Sequence, residues 1–291
     1  MPVSFDTHGG PVRTRKERSF SGVVVGAGRL IWPVFLVSIR RLVHSKFFYA
    51  ALFLAALPVC LAVIILPSQM GASIGRLHLV LESFLRTVFL AFVVFFAGNI
   101  LGFAVMRQEI DDQTLHFPLL QPTPRWALVV GKFAAALLLA SLLCVLSLWL
   151  TYLVLVIPTQ GVFALVKDLT QGGRFFILLK ESTALVLGLL AYTTIAMFMG
   201  SFLKSIAYAL ILLAWDTGVP YLPSTAKMWT VMHYLQSLLP ERLSQQRRLF
   251  ELLGEPAPVW LCLVVLVGLS LVFLAGCLFI FHRRECLYGE T

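Results

Sequence analysis

Arg107–Lys132 reads RQEIDDQTLHFPLLQPTPRWALVVGK, a charged, proline-punctuated stretch set between two long apolar runs. Glu109, Asp111 and Asp112 open it, Thr114 and Leu115 follow, Pro122 and Pro124 frame a turn, and Arg125 and Lys132 lead into the next run. What this polar island means depends on the runs around it. A bilayer core about 30 Å thick takes roughly 20 uncharged residues in a helix, because the backbone there must satisfy its own hydrogen bonds.

Uncharged runs extend from Phe47 to Pro67, Thr87 to Met106, Phe133 to Ile157, Ser182 to Leu203, Ser205 to Trp215 and Pro256 to Phe281. The chain therefore reads as an all-α polytopic membrane protein with six spans. The fifth run is short, and it crosses only if its helix continues past Asp216 towards Tyr221. Composition agrees with this class: 59% of the 291 residues are hydrophobic, 13% are charged, and mean hydropathy is +0.90. A soluble domain does not carry such values.

Lysine and arginine collect on the cytoplasmic side of membrane proteins. More than half of the 23 fall on one side if both termini and the 107–132 island are placed inside. Several of those left outside, Lys227, Arg242, Arg247 and Arg248, sit in a long loop that counts less towards orientation. Arg13 to Arg18, the densest part of the net +9 charge, precedes the first membrane element, so the charge is a topology signal and not a nucleic-acid footprint. The reading is an inner-membrane, multi-pass protein with cytoplasmic N- and C-termini. The first twenty residues are polar and do not read as a secretory leader.

Three regions follow along the chain: a polar tail over residues 1–25, an interfacial helix over 26–46, and the transmembrane domain over 47–291. In the second, Ile31, Trp32, Phe35, Leu36, Ile39, Leu42 and Val43 recur at three-to-four spacing, and Arg29, Arg40, Arg41, His44 and Lys46 are polar. That division suits a helix in the inner headgroup layer, with its apolar face on lipid and Pro33 in its first turn. Between Trp215 and Pro256, Thr225 to Leu239 and Glu241 to Leu253 read as two helical stretches forming a cap over the outer ends of the spans. Gly98 and Gly102 form a GxxxG that serves close packing, within the chain or between copies.

Catalytic chemistry is missing from the sequence. There is no HExxH, GxSxG or metal-spaced histidine pair, and Gly131-Lys132 lacks both the upstream glycine and the following Ser/Thr of a phosphate loop. The chain is read as no enzyme, binding no cofactor or metal of its own; any ATP dependence comes from a partner. Cys60, Cys144, Cys262 and Cys277 lie within spans and Cys286 in the inner tail, with no disulfide or CxxC pattern. Ionisable groups are nearly absent from the spans. Asn99, Ser182, Thr183, Thr193 and Thr194 can bond their own helix backbone. Asp216 is costly to bury, and is placed at the outer mouth, lining a path, capping a helix end or marking where the fifth helix stops. The island at 107–132 is either a docking element for a basic groove on a cytoplasmic protein or a solvated loop.

In order and spacing, Glu109, Thr114, Leu115, Leu119, Pro122, Arg125 and Lys132 resemble the segment that ABC-2 type permeases carry between their second and third spans. Gln113 stands where many members have glycine. Lys204, Trp215, Asp216, Leu222, Pro223, His233 and Tyr234 are similar in order to a branch of the same family. The resemblance implies a six-span subunit with an interface helix before the first span and outer helices between spans five and six. It further implies a coupling helix at Glu109, Asp111, Asp112, Thr114 and Leu115, with Arg125 and Lys132 fixing the start of span three. The implied partners are an ABC ATPase subunit holding ATP and magnesium, a second permease chain and membrane lipid. The face carrying Arg29, Trp32, Arg40 and Arg41 would touch ATPase and lipid. Rival readings are a membrane anchor or sensor recruiting a cytoplasmic partner, and a self-contained secondary carrier dependent on Asp216.

Overall fold

The computed structural model describes residues 20–71, 73–111, 125–170, 173–203, 205–218, 228–239 and 257–288. Every regular element among them is helical. In chain order these are α1 (Phe20–Val43), α2 (Lys46–Gln69), α3 (Ile74–Phe84), a π-helical stretch (Leu85–Val94), α4 (Phe95–Asp111), α5 (Arg125–Thr170), α6 (Arg174–Phe202), α7 (Tyr208–Gly218), α8 (Val231–Leu238) and α9 (Val259–Tyr288).

Among the described residues, five segments are long and apolar enough to cross a membrane: Lys46–Gln69, Ile74–Gln108, Trp126–Thr170, Arg174–Phe202 and Val259–Ile280. The run read as a fifth span is described as α7, 11 residues ending at Gly218, and the expected continuation towards Tyr221 lies outside the described residues. The second span, read from Thr87, begins instead at Ile74 and runs for 35 residues through the π-helical stretch. Its charges explain the difference: Arg86 Nη2 bonds Glu82 Oε1 at 3.0 Å, one turn apart, so the pair sits inside a membrane-length helix without breaking it.

Helix ends follow local chemistry. Ser45 caps α2 by accepting the Phe48 N–H on its hydroxyl, and Gly71, at φ +81°, turns the chain outside α2. Pro33 lies inside α1 and not in its first turn, because the helix starts at Phe20. α1 lies against α5, where Gly131 lets it approach: a Cβ there would stand 3.0 Å from Val34 Cγ1. Trp32, Arg40 and Arg41 remain exposed, as an interfacial helix requires.

The core is built on α4 against α6. A Cβ added at Gly102 would meet the Thr193 carbonyl oxygen at 2.6 Å, and one at Gly98 would meet Tyr192 Cβ at 2.9 Å. The GxxxG thus serves packing within the chain. The π-helical stretch and α5 complete this core through Phe89, Leu90, Val93, Ala136 and Leu148. α2 is held to α5 by the Ser147 hydroxyl, which donates to the Ala55 carbonyl. α9 is peripheral and exposes Trp260, Val264, Leu271 and Val272.

Candidate functional site

Two places concentrate polar chemistry on the transmembrane scaffold. Between the second and third candidate spans, α4 closes with Glu109 and Asp111 in its last turn, and α5 opens at Arg125. Asp112, Thr114 and Leu115 lie outside the described residues. The charges at both helix ends are inverted with respect to the helix dipole, acidic at a C-terminus and basic at an N-terminus. Such placement works against isolated helix stability. Lys132, expected at the surface, is 1% exposed two turns into α5 and lies within electrostatic reach of Cys277 on α9. Arg29 lies in α1, on the backbone upstream of Trp32.

The second place is the junction of α6, α7 and α8. Asp216, near the end of α7, is 6% exposed and accepts the Tyr192 hydroxyl at 2.6 Å. Its carboxylate also accepts the backbone N–H groups of Val231 and Met232, the first two residues of α8. The third, His233 N–H, is taken by the Thr230 hydroxyl at 3.4 Å. The N-terminus of α8 is therefore fully capped, and by a negative charge that its dipole favours.

Tyr192 stands ten residues before the end of α6 at Phe202, so Asp216 meets α6 within the helix and not at its terminus. α8 then rises along α6, where Leu235 rests on Gly188: a Cβ at Gly188 would stand 2.9 Å from Leu235 Cδ1 and 2.8 Å from Val94 Cγ1. At the start of α7, Tyr208 donates to Asn99 Oδ1 at 3.2 Å, and Asn99 Nδ2 donates to the Phe95 carbonyl. α7 is thus tied at its start to α4 and near its end to α6 and α8. Of the two helical stretches read after Trp215, the first appears as α8 and the second lies outside the described residues.

Ser182, Thr183 and Thr194 donate to their own helix backbone, as read from the sequence. Thr193 differs, since its buried hydroxyl has no hydrogen-bond partner. Thr193→Val, which keeps the shape and removes that unpaired group, is expected to leave thermal stability unchanged or raise it by about 1 kcal/mol. A melting curve in detergent checks this, and a drop would show that the hydroxyl has a partner.

A third polar group, joining α3, α5 and α6, was not legible in the sequence. His78 Nε2 and the Tyr152 hydroxyl both reach Asp168 Oδ2, at 2.9 and 2.7 Å. Arg174 pairs with Glu181 at 3.2 Å and lies over the Tyr152 ring. No group of three or more potential metal ligands occurs among the described residues.

A multi-span helical scaffold, a helix docked before the first span and a polar island between the second and third agree with the sequence resemblance. A family model described as ABC-2 family transporter protein matches residues 32–286. The chain belongs to that family. The match starts within α1 and ends within α9, so this ABC-2 transporter chain is an integral multi-pass membrane protein over almost its whole length. No curated protein matches it.

Proposed function

We propose that this chain is the permease subunit of an ATP-binding cassette exporter, driven by a separate cytoplasmic ATPase that docks on the segment between α4 and α5. Membership of the ABC-2 family carries the reading. The inverted charges at the end of α4 and the start of α5 support the docking place, because groups that gain nothing from their own helix are suited to a partner's opposite charge. Glu109, Asp111, Asp112, Thr114 and Leu115 form the contact, and Arg125 and Lys132 set the inner end of α5. ATP and magnesium are held by the partner, and this chain contributes no catalytic group.

The working unit pairs two permease chains, alike or related, with two ATPases. α7 rises half-way from the inner side and α8 continues to the outer side, so together they form the sixth crossing as a broken element. Both termini are then cytoplasmic at the inner membrane. α1, with Arg40 and Arg41 exposed, contacts lipid headgroups and the flank of the ATPase. ATP-driven closure of the ATPases pushes on the α4–α5 segment and moves α4 and α6 as one packed body, since Gly98 and Gly102 leave no slack between them.

Purification in mild detergent from cells expressing the chain with its chromosomal neighbours tests this reading. An ATPase is expected to co-purify, and Glu109→Lys is expected to lower its recovery by roughly tenfold or more, the scale of a lost interfacial charge pair. If no ATPase is recovered, the permease reading fails and the anchor or carrier alternatives take its place.

A further inference from the structure

α5 is 46 residues long with non-helical backbone at Gly161, φ +82°. From Lys132 to Gly161 it rises about 44 Å, the full bilayer with headgroups. Beyond Gly161 the chain folds back. Leu165 packs with Tyr152, Leu155 and Val156, and Asp168 accepts the Tyr152 hydroxyl although the two are 16 residues apart. A straight helix would separate them by about 24 Å. The return segment therefore lies beside the outer turns of α5, at the depth where α6 begins with Arg174 over the Tyr152 ring.

The faces of this elbow are reversed relative to a water-exposed helix. Its charges point inward: Asp168 is 9% exposed against His78, and Arg174 and Glu181 are each 3% exposed against one another. Its apolar groups point outward: Phe163 is 88%, Phe176 69% and Val162 61% exposed. Leu150 and Ile157 on α5 and Leu179 on α6, in the two candidate spans that the elbow joins, are exposed as well. Lys167 and Lys180, both exposed, lie one turn from Phe163 and Phe176. There their ammonium groups can reach headgroup phosphates while the stems cover apolar surface.

We infer that the outer elbow, residues 161–170 and 173–179, is embedded in the outer lipid leaflet at the boundary of headgroups and acyl chains, its exposed aromatic face covered by lipid and its buried ion pairs turned towards the protein. Water disfavours an exposed surface of this kind, whereas aromatic rings are enriched at that depth. Lipid is the occupant named because the elbow joins two candidate membrane spans that expose apolar residues too. The elbow would hold the ends of α5 and α6 that it joins at one depth in the bilayer.

Spin labels on cysteines placed singly at positions 163, 165 and 176 of the full chain test this. Cys60 and Cys286 are replaced by serine, and the chain is reconstituted in vesicles of phosphatidylethanolamine and phosphatidylglycerol. At 163 and 176, collision with oxygen is expected to exceed collision with a water-soluble nickel chelate severalfold; at 165, which is buried, neither should reach the label. Nickel collisions dominating at 163 would place the elbow in water. Protection from both reagents there would mean that protein, such as a second copy, covers it. Either result overturns the inference.

Discussion

Replacing Asp216 by alanine is expected to cost the folded chain on the order of 3 kcal/mol or more, because several buried donors lose their acceptor at about 1–3 kcal/mol each. The Tyr192 hydroxyl and the Val231 and Met232 N–H groups all depend on this one carboxylate. Asp216 is 6% exposed, so water has little access to replace it. The variant should be recovered in low yield, with α8 released from α6, and cleavage by added protease near residues 228–239 in oriented vesicles reports that release. Asp216→Asn keeps an acceptor oxygen and should retain assembly and most transport. The carrier alternative predicts the reverse for asparagine, since a coupling ion needs the charge: transport would be lost while assembly persists.

Gly102→Leu is the second large effect. An added Cβ would stand 2.6 Å from the Thr193 carbonyl oxygen and 3.1 Å from Thr193 Cα, both backbone atoms that cannot turn aside like a side chain. α4 and α6 must part, opening the largest interface in the chain, and overpacking of this kind costs about 1–3 kcal/mol or more. Monodisperse protein should be lost on gel filtration. Gly268→Leu on α9 has nothing within 4 Å, and should elute as the parent does. Equal loss in both variants would mean that leucine is harmful anywhere in these spans and that the close approach at Gly102 is not the cause.

α2, α5, α6 and α9 were legible because an uncharged run of membrane length admits few other structures in lipid. The short run at Ser205–Trp215 was ambiguous for a physical reason: its 11 residues are too few to cross a bilayer alone, and it runs into Asp216, a residue whose partners come from elsewhere. Nothing local joins Asp216 to Tyr192, 24 residues away, or His78 to Asp168, 90 residues away. Only packing brings them together. Charge also misled at the second span, where Glu82 and Arg86 neutralise each other inside a helix that reading by uncharged runs stops short of. The GxxxG pointed to close packing, but its partner, α6, appeared only in three dimensions. Lys132 had the right spacing for the family segment, yet its burial could not be read from neighbours that look no different from those of a surface lysine.

The central claim is that a cytoplasmic ATPase engages the chain at the end of α4. Its most direct test is a photo-crosslinking residue placed at position 109, with position 163 on the outer elbow as comparison, in membranes from cells expressing the chain with its chromosomal neighbours. The account predicts an adduct between position 109 and an ATPase subunit, changed in yield by ATP, and none from position 163. Membranes in which the ATPase is present but position 109 yields no adduct with it would contradict the account.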